Sequence, residues 1–438
     1  MSAHAGTWSV QQSAAPHVRS KLAGPRLVYC ASLFNLFLCF LNTRHWASVS
    51  ANGVILVEVI IICVGLWCVR DQVGRATLQL VFILTLYLMG MKLLNPDVNL
   101  KILHDIAIMY VFFKLGTLSS IEQGNRTLWA TMIIVLGIGA FEFLRPDDFG
   151  NVFDVWSYYV NKGVIGSDVV NYAHSNLFLS GNRGDASMRT FLPSVFGAHR
   201  ISSIFLEPDS MGNFAAIGFA WCLSTRAGSS RGRILLLALC AFCVVLADSR
   251  FASICCAAML ILRQITFLRS KAFIFFTPVA VLIALTLEGS LKPMPLPALP
   301  FILDDDFTGR LLFSARVLDS WGLTQWLGAS VSQVYCADTG YAYVINNLGL
   351  PFSLILLLLF ALSPERRPEA SWMKSMMAIY YAASLCVGAS VFTIKTASIL
   401  WFLYGATNAL GRAVLPNQPT GAPGEGASLR LLAPASQA

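Results

Sequence analysis

The sequence predicts an all-α, polytopic integral membrane protein of about 12 transmembrane helices, each about 20 apolar residues long. Three observations carry that expectation. Hydrophobic residues make up 56% of the 438-residue chain and charged ones 12%, where soluble domains carry about one-quarter charged. The apolar residues gather into separate stretches of spanning length rather than periodic stripes. Arginines and lysines recur in every second connection, which is how a multi-span chain marks its cytoplasmic side.

The elements follow in order. Residues 1–25 are polar, and Arg19, Lys21 and Arg26 lead straight into an apolar run without a cleavage site. This reads as a short cytoplasmic tail before an uncleaved start-transfer helix. Spans are expected near 26–43, 53–69, 76–94, 101–118 and 127–145, then 203–223, 232–247, 250–268 and 272–288, and finally 341–362, 372–389 and 392–410. The basic groups Arg70 and Arg75, Arg126, Arg226 with Arg231 and Arg233, Arg263 with Arg269 and Lys271, and Arg366 with Arg367 then share one side. An even number of spans puts both termini on that side, the cytoplasm. The formal charge of +8 lies largely in these loops, so it is no nucleic-acid signal and no nucleic-acid partner is expected.

Two segments interrupt the rhythm, and both are expected on the opposite, periplasmic side. The first large loop covers 146–202, between spans 1–5 (26–145) and spans 6–9 (203–288). It is too polar to span and too long for a plain connection. Trp156, Tyr158, Tyr159, Asn161, Asn171, Tyr172, His174, Asn176 and Asn182 give it the aromatic faces and amide edges that sugar rings require. The same aromatics equally suit interfacial anchoring. The second large loop, 289–340, precedes spans 10–12 (341–410) and opens with the stiff Lys292-Pro293-Met294-Pro295-Leu296-Pro297. The tail 411–438 is rich in Pro, Gly, Ala and Ser and is expected to be a disordered cytoplasmic end.

Eleven cysteines lie almost entirely within apolar stretches, and Cys240 and Cys243 form a C-x-x-C with no basic neighbour to activate a thiol. They read as small packing residues; neither a disulfide nor a metal site is expected, and no cofactor. The sequence has no internal repeat, which counts against a transporter built from duplicated halves.

The residues suited to chemistry cluster at the predicted periplasmic mouths. Arg250, Arg310 and Arg316 stand away from the cytoplasmic arginines, near Glu207 in FLEPDSMGN. Cations there suggest a bound anion, and a planar guanidinium fork suits pyrophosphate. Arg250 alternatively snorkels or pairs with Asp248. Glu207-Pro208-Asp209 alternatively is an ordinary helix start. If Glu207 works as a base, partial desolvation is expected to raise its pKa. His199, next to Arg200 and just before Glu207, is a further candidate to assist as base or to bind a phosphate, and alternatively is a surface histidine. Asp304-Asp305-Asp306 carries a D-x-D spacing but reads as a solvated loop or an arginine partner.

The strings FLEPDSMGNF, VLADSRFAS, FTGRLLFSARVLDSW and ADTGYAYVINNLGLPFSLI, in this order, resemble the successive signatures of bacterial Wzy-type polysaccharide repeat-unit polymerases, which are related to O-antigen ligases. The resemblance implies an enzyme of the bacterial inner membrane that acts on glycans linked to undecaprenyl pyrophosphate. Its partners would be membrane lipids, a flippase that feeds it, and chain-length or export proteins. Carried over, Arg250 and Arg310, and after them Arg316, would hold the pyrophosphate leaving group, with Glu207 as candidate base. Asp338 and Tyr341 would shape the cavity, with Arg200, His199 and Trp321 as substrate-binding neighbours. Three other classes stay open: an O-antigen-type ligase using the same donor, a lipid-linked sugar flippase or transporter, and a non-catalytic assembly subunit. A transporter would want charges deep in the spans, where Glu58 and Lys395 are the candidates.

Overall fold

The computed structural model describes residues 15–96, 98–166, 176, 177, 181, 186–291, 307–330, 332, 336 and 339–409. Among them the regular structure is helical. The first group is α1 (Ala15–Thr43), α2 (Ala51–Val69), α3 (Arg75–Leu94), α4 (Lys101–Thr117) and α5 (Ile121–Leu144). Short helices α6 (Pro146–Val152), α7 (Val155–Asn161) and α8 (Pro193–Phe196) follow, then α9 (Pro208–Ser224), α10 (Ser230–Ala247), α11 (Arg250–Leu262) and α12 (Lys271–Leu291). The chain ends with α13 (Phe307–Asp319), α14 (Leu323–Trp326), α15 (Gly340–Leu362), α16 (Pro368–Ser384) and α17 (Ile394–Thr407).

Local chemistry sets the starts. Ser50, Ser229 and Ser249 each accept a backbone N–H from their own first turn, and Ser120 with Gln123 forms a reciprocal capping box. Proline at the first position opens α9 and α16.

Each expected span has a helix of its own. Seven of these, Ala23–Thr43 of α1 with α2, α3, α5, α10, α12 and α15, are long and apolar enough to cross a membrane. The other five are shorter: α4, α9 and α16 have 17 residues, α17 has 14 and α11 has 13. Of these, α9, α16 and α17 are buried along nearly their whole length and form the interior, with α17 on α4 and α9 against α10, α11 and α16. The perimeter is apolar. Ile55, Leu56 and Ile60 on α2, Leu78, Phe82 and Leu86 on α3, and Ile283 and Leu287 on α12 are exposed large hydrophobics. Exposed large apolar side chains repeated along several long helices are what lipid solvates and water does not; the chain is a membrane-embedded helical protein.

The sixth expected span begins later than its apolar pattern suggests. Ser203–Phe205 form a 3-10 turn, Leu206 is left-handed at φ 60°, and helical backbone starts only at Pro208. The chain turns there because Ser202 and Ser203 give their amides to the buried Glu142 of α5. The two long loops also contain more structure than their polarity predicts, α13 above all.

Two glycines let α4 and α17 meet backbone to backbone. A Cβ on Gly116 would stand 2.1 Å from the Phe402 carbonyl oxygen, and one on Gly405 would stand 2.1 Å from that of Phe113. Close approach through small residues is how helices associate where water supplies no drive. In α15 the helix breaks at Gly349, φ 68°, just before Pro351. The Tyr87 hydroxyl donates to the Leu348 carbonyl at 2.6 Å at that break. Elsewhere the fully buried Lys374 closes the end of α15 by donating to the carbonyls of Ala361 and Ser363 and to Glu365.

Gly116→Val and Gly405→Val should each lower stability by about 1–3 kcal/mol or more through overpacking. Gly90→Val, where a Cβ meets nothing within 4 Å, should leave it unchanged. Thermal melts of the detergent-solubilised variants decide this; equal melting of all three would refute the backbone contact.

Candidate functional site

The N-terminal turn of α9 carries the site. Glu207 is the residue before the first helical position, with extended backbone (φ −140°, ψ 124°). Its Oε1 accepts the Tyr159 hydroxyl at 2.6 Å, and its Oε2 accepts the Ser210 hydroxyl at 2.8 Å and Lys395 Nζ at 2.5 Å. Tyr159 comes from α7, Ser210 from α9 and Lys395 from the first turn of α17, so three elements converge on one carboxylate. Lys395 also donates to the Phe205 carbonyl at 3.2 Å. Its side chain is 5% exposed and that of Glu207 is 32% exposed, so the pair is buried from the lysine's side and open from the carboxylate's.

Those contacts overturn one expectation. Burial by itself pushes the Glu207 carboxyl up, but the Lys395 ammonium outweighs it, helped by hydrogen bonds from Lys395 and Tyr159. The net result is a pKa lowered to about 2. Glu207, which lies outside the seven long apolar helices, is therefore a fixed anion and a weak base.

The arginines meet a different carboxylate. Arg200 Nη2 lies 2.6 Å from Asp209 Oδ1, and Arg310 Nη1 lies 3.8 Å from Asp209 Oδ2. Arg200 is buried and also donates from Nε to the Ala247 carbonyl at 3.0 Å. Arg310, on α13, is 30% exposed and held at longer range. One turn on, Asn213 donates to the Asp209 carbonyl at 2.8 Å and accepts the Tyr380 hydroxyl at 2.7 Å. That ties the turn to α16.

The loop beside this turn is pinned to the end of α10. Arg189 is buried and donates to the carbonyls of Val245 (2.8 Å), Leu246 (2.9 Å) and Phe191 (3.0 Å), and to that of His199. Terminal helix carbonyls lack intrahelical partners, and a buried guanidinium satisfies several at once. Asp248, left-handed at φ 47°, accepts the amides of Thr190 (2.9 Å) and Phe191 (3.1 Å). Arg250 donates to the Thr190 hydroxyl at 2.7 Å and to the Met188 carbonyl at 3.2 Å. Ser249 packs on α9, since a Cβ on Gly212 would stand 2.5 Å from its Oγ.

The structure thus brings Glu207, Arg200 and Arg310 together around the first turn of α9, with Arg250 on the loop that borders it. His199 is next to Arg200 in sequence, yet its Nε2 contacts Glu142 Oε1 at 3.0 Å; it braces the 199–203 turn. Trp321 donates to Ser332 Oγ at 3.2 Å and stands edge-on to Trp326. Arg316 lies in the last turn of α13. Tyr341 is a packing residue: its hydroxyl donates to the Pro278 carbonyl at 2.9 Å. It lines a cavity of about 290 Å³ whose walls are almost wholly apolar, from α4, α12, α15, α16 and α17. Asp338, Asn171, Tyr172, His174, Asn182 and Asp304, Asp305 and Asp306 lie outside the described residues. The eleven cysteines are free. Among the described residues no group of three or more His, Cys, Asp or Glu is placed to hold a metal ion.

A second charged cluster, which the motifs do not point to, sits at the same end of the bundle. The buried Asp105 accepts Lys101 Nζ at 3.3 Å and the Tyr343 hydroxyl at 2.7 Å, and meets His104 Nδ1 at 3.3 Å. His104 Nε2 lies 3.5 Å from Glu58 of α2. The sequence did carry a signal for these residues, because a charge inside an apolar run needs a partner. It did not say which partner, so Lys395 and Glu207, 188 positions apart, could not be matched.

No family model, curated protein or solved structure matches this chain.

Lys395→Met should leave the Glu207 carboxylate uncompensated and lower stability by about 1–3 kcal/mol, between the figures for exposed and fully buried pairs. Adding Glu207→Gln to that variant should recover part of the loss. Melting temperatures of the two single variants and the double variant measure the coupling, and strict additivity would show the pair to be energetically silent.

Proposed function

We propose that this chain is a glycan transferase of a bacterial inner membrane. In this reading the five shorter helices α4, α9, α11, α16 and α17 cross the bilayer together with the seven long ones, both termini are cytoplasmic, and the α9 turn opens on the periplasmic side. The class is a lipid-linked glycosyltransferase whose donor is a glycan on a polyprenyl pyrophosphate. The particular activity is that of a repeat-unit polymerase of the Wzy type, most like the xanthan polymerase of the gum exopolysaccharide pathway.

The observation that carries the reading is the partly exposed Arg310 beside buried Arg200, two guanidinium groups drawn onto Asp209 next to an anionic Glu207. The acceptor hydroxyl oxygen attacks the anomeric carbon of the donor glycan. The bond from that carbon to the phosphate oxygen breaks, and its electron pair leaves with the pyrophosphate. Arg310, Arg250 and Arg316 supply the cations where that charge develops, which is usually the largest catalytic contribution and makes the chemistry metal-independent. Direct displacement inverts the anomeric configuration. Glu207 has three of its roughly four acceptor positions filled. The remaining one, on the side open to solvent, suits a hydroxyl of the acceptor sugar and orients it.

The charges of the chain support this reading over a transporter. Of the two deep candidates, Lys395 pairs with Glu207 and Glu58 lies against His104, whereas the cavity among α4, α12 and α15 is apolar. An O-antigen-type ligase uses the same donor chemistry and is separated by its acceptor.

The test uses the full chain in liposomes with the lipid-linked oligosaccharide that accumulates in cells lacking this protein. A product ladder spaced by whole repeat units, formed with chelator present, is the expected result. Transfer only to a foreign acceptor would make it a ligase, and lipid movement without new bonds a transporter. Arg310→Ala should abolish the ladder while the protein inserts normally, and Arg310→Lys should be impaired because the bidentate fork is lost. Arg250→Ala should abolish it too, but with a lower melting temperature, since Thr190 and Met188 lose their tie. Full activity of Arg310→Lys would count against pyrophosphate binding there.

A further inference from the structure

Resting on that reading, we infer that Asp209 is a positioning residue of the transfer. It holds Arg310 between turnovers, yields it to the incoming pyrophosphate and takes it back as the product leaves. Burial decides which of the two arginines on this carboxylate exchanges. Arg200 is 5% exposed, lies 2.6 Å from Asp209 Oδ1 and donates from Nε to the Ala247 carbonyl. Withdrawing its anion would leave an uncompensated charge inside the protein. Arg310 is 30% exposed and lies 3.8 Å from the other oxygen, Oδ2, beyond hydrogen-bonding distance. Exposed pairs of that kind are weak and screened by salt. Arg200 therefore stays and Arg310 moves.

The backbones on both sides of the pair are fixed. The Asp209 carbonyl accepts Asn213 Nδ2 at 2.8 Å, and Asn213 in turn accepts the Tyr380 hydroxyl and donates to Ser390 Oγ at 3.2 Å. On α13 the residues beyond Arg310 are anchored. Phe313, Ala315, Val317 and Leu318 are buried, and Ser314 donates to the Cys386 carbonyl at 2.7 Å. A Cβ on Gly289 of α12 would stand 2.4 Å from the Ala315 carbonyl oxygen. Gly309 and Arg310 themselves are only partly buried. The moving part is then the Arg310 side chain, whose head turns from Oδ2 to a phosphate oxygen. Phosphate offers the guanidinium fork two parallel bonds, more than Oδ2 gives at its distance. When the pyrophosphate diffuses away, the carboxylate that Arg200 keeps in place is there to receive Arg310 again. The consequence is competition: pyrophosphate binds more weakly by the fraction of Arg310 that Asp209 holds.

The test titrates inorganic pyrophosphate into the full chain in detergent by calorimetry, at about 0.15 M salt. Asp209→Asn should bind it about 2–5-fold more tightly, the fold-change that an exposed ion pair supports. In the liposome assay KM should fall by the same factor, with kcat not raised. In an Arg310→Ala background Asp209→Asn should change nothing, because the group competed for is gone. Asp209→Glu keeps the anion that buried Arg200 requires and should bind pyrophosphate no more tightly than wild type; it decides the matter if Asp209→Asn does not fold. Weaker or unchanged binding by Asp209→Asn would overturn the inference, as would tighter binding by Asp209→Glu. An equal gain with Arg310 already alanine would overturn it too, since that is plain charge repulsion. A wild-type protein that binds no pyrophosphate, or an Arg310→Ala protein that binds it as wild type does, overturns the functional reading and this inference with it.

Discussion

A lysine whose ammonium is almost entirely removed from solvent must have an anion beside it, and most of this site follows from that requirement. Lys395 sits in the first turn of α17 within an otherwise apolar helix. Unpaired, it would carry a desolvation cost of several kcal/mol. Glu207 supplies the anion, which fixes α17 against the start of α9 and sets how far each helix extends toward the loop-bearing end. Tyr159 binds the other carboxylate oxygen and thereby anchors α7 to the same point. The geometry of three elements is determined by one ion pair.

A second set of constraints comes from helix ends. The last carbonyls of α10 and the first amides after Ile201 would be unsatisfied in an apolar surround. Arg189 takes the carbonyls and Glu142 takes the amides. Both residues are buried and neither faces the site, yet together they hold the loop that carries Arg200 and delivers it to Asp209. The turn 248–250 is pinned by the same loop, through Asp248 from one side and Arg250 from the other. Charge is used here as structural mortar, and burial sorts the arginines. The fully buried arginines bond carbonyls, whereas Arg310 keeps part of its surface in solvent.

Much of the fold is legible in the sequence because bilayer solvation imposes a length and a polarity that strings display directly. The twelve apolar runs map one to one onto α1–α5, α9–α12 and α15–α17, with ends differing by a few residues at most sites. The start of α9 is the instructive exception: Ser203 to Leu206 are as apolar as a helix, and only the partner of their amides, Glu142, some 60 positions earlier, turns the chain. The site is less legible for the same reason. Glu207, Arg200 and Arg310 stand out as polar residues at apolar boundaries. Which carboxylate the arginines meet depends on the direction of one helical turn: residues 207 and 209 point to different neighbours. Tyr341 lines a cavity, but one whose walls are almost wholly apolar, and its hydroxyl is taken by the Pro278 carbonyl inside the bundle.

The pairing has a chemical consequence beyond architecture. A carboxylate that must neutralise Lys395 cannot also rise in pKa to serve as a base, because the interaction that stabilises its anion is the one that weakens its basicity. Glu207 therefore keeps its charge as the shared partner of α7, α9 and α17.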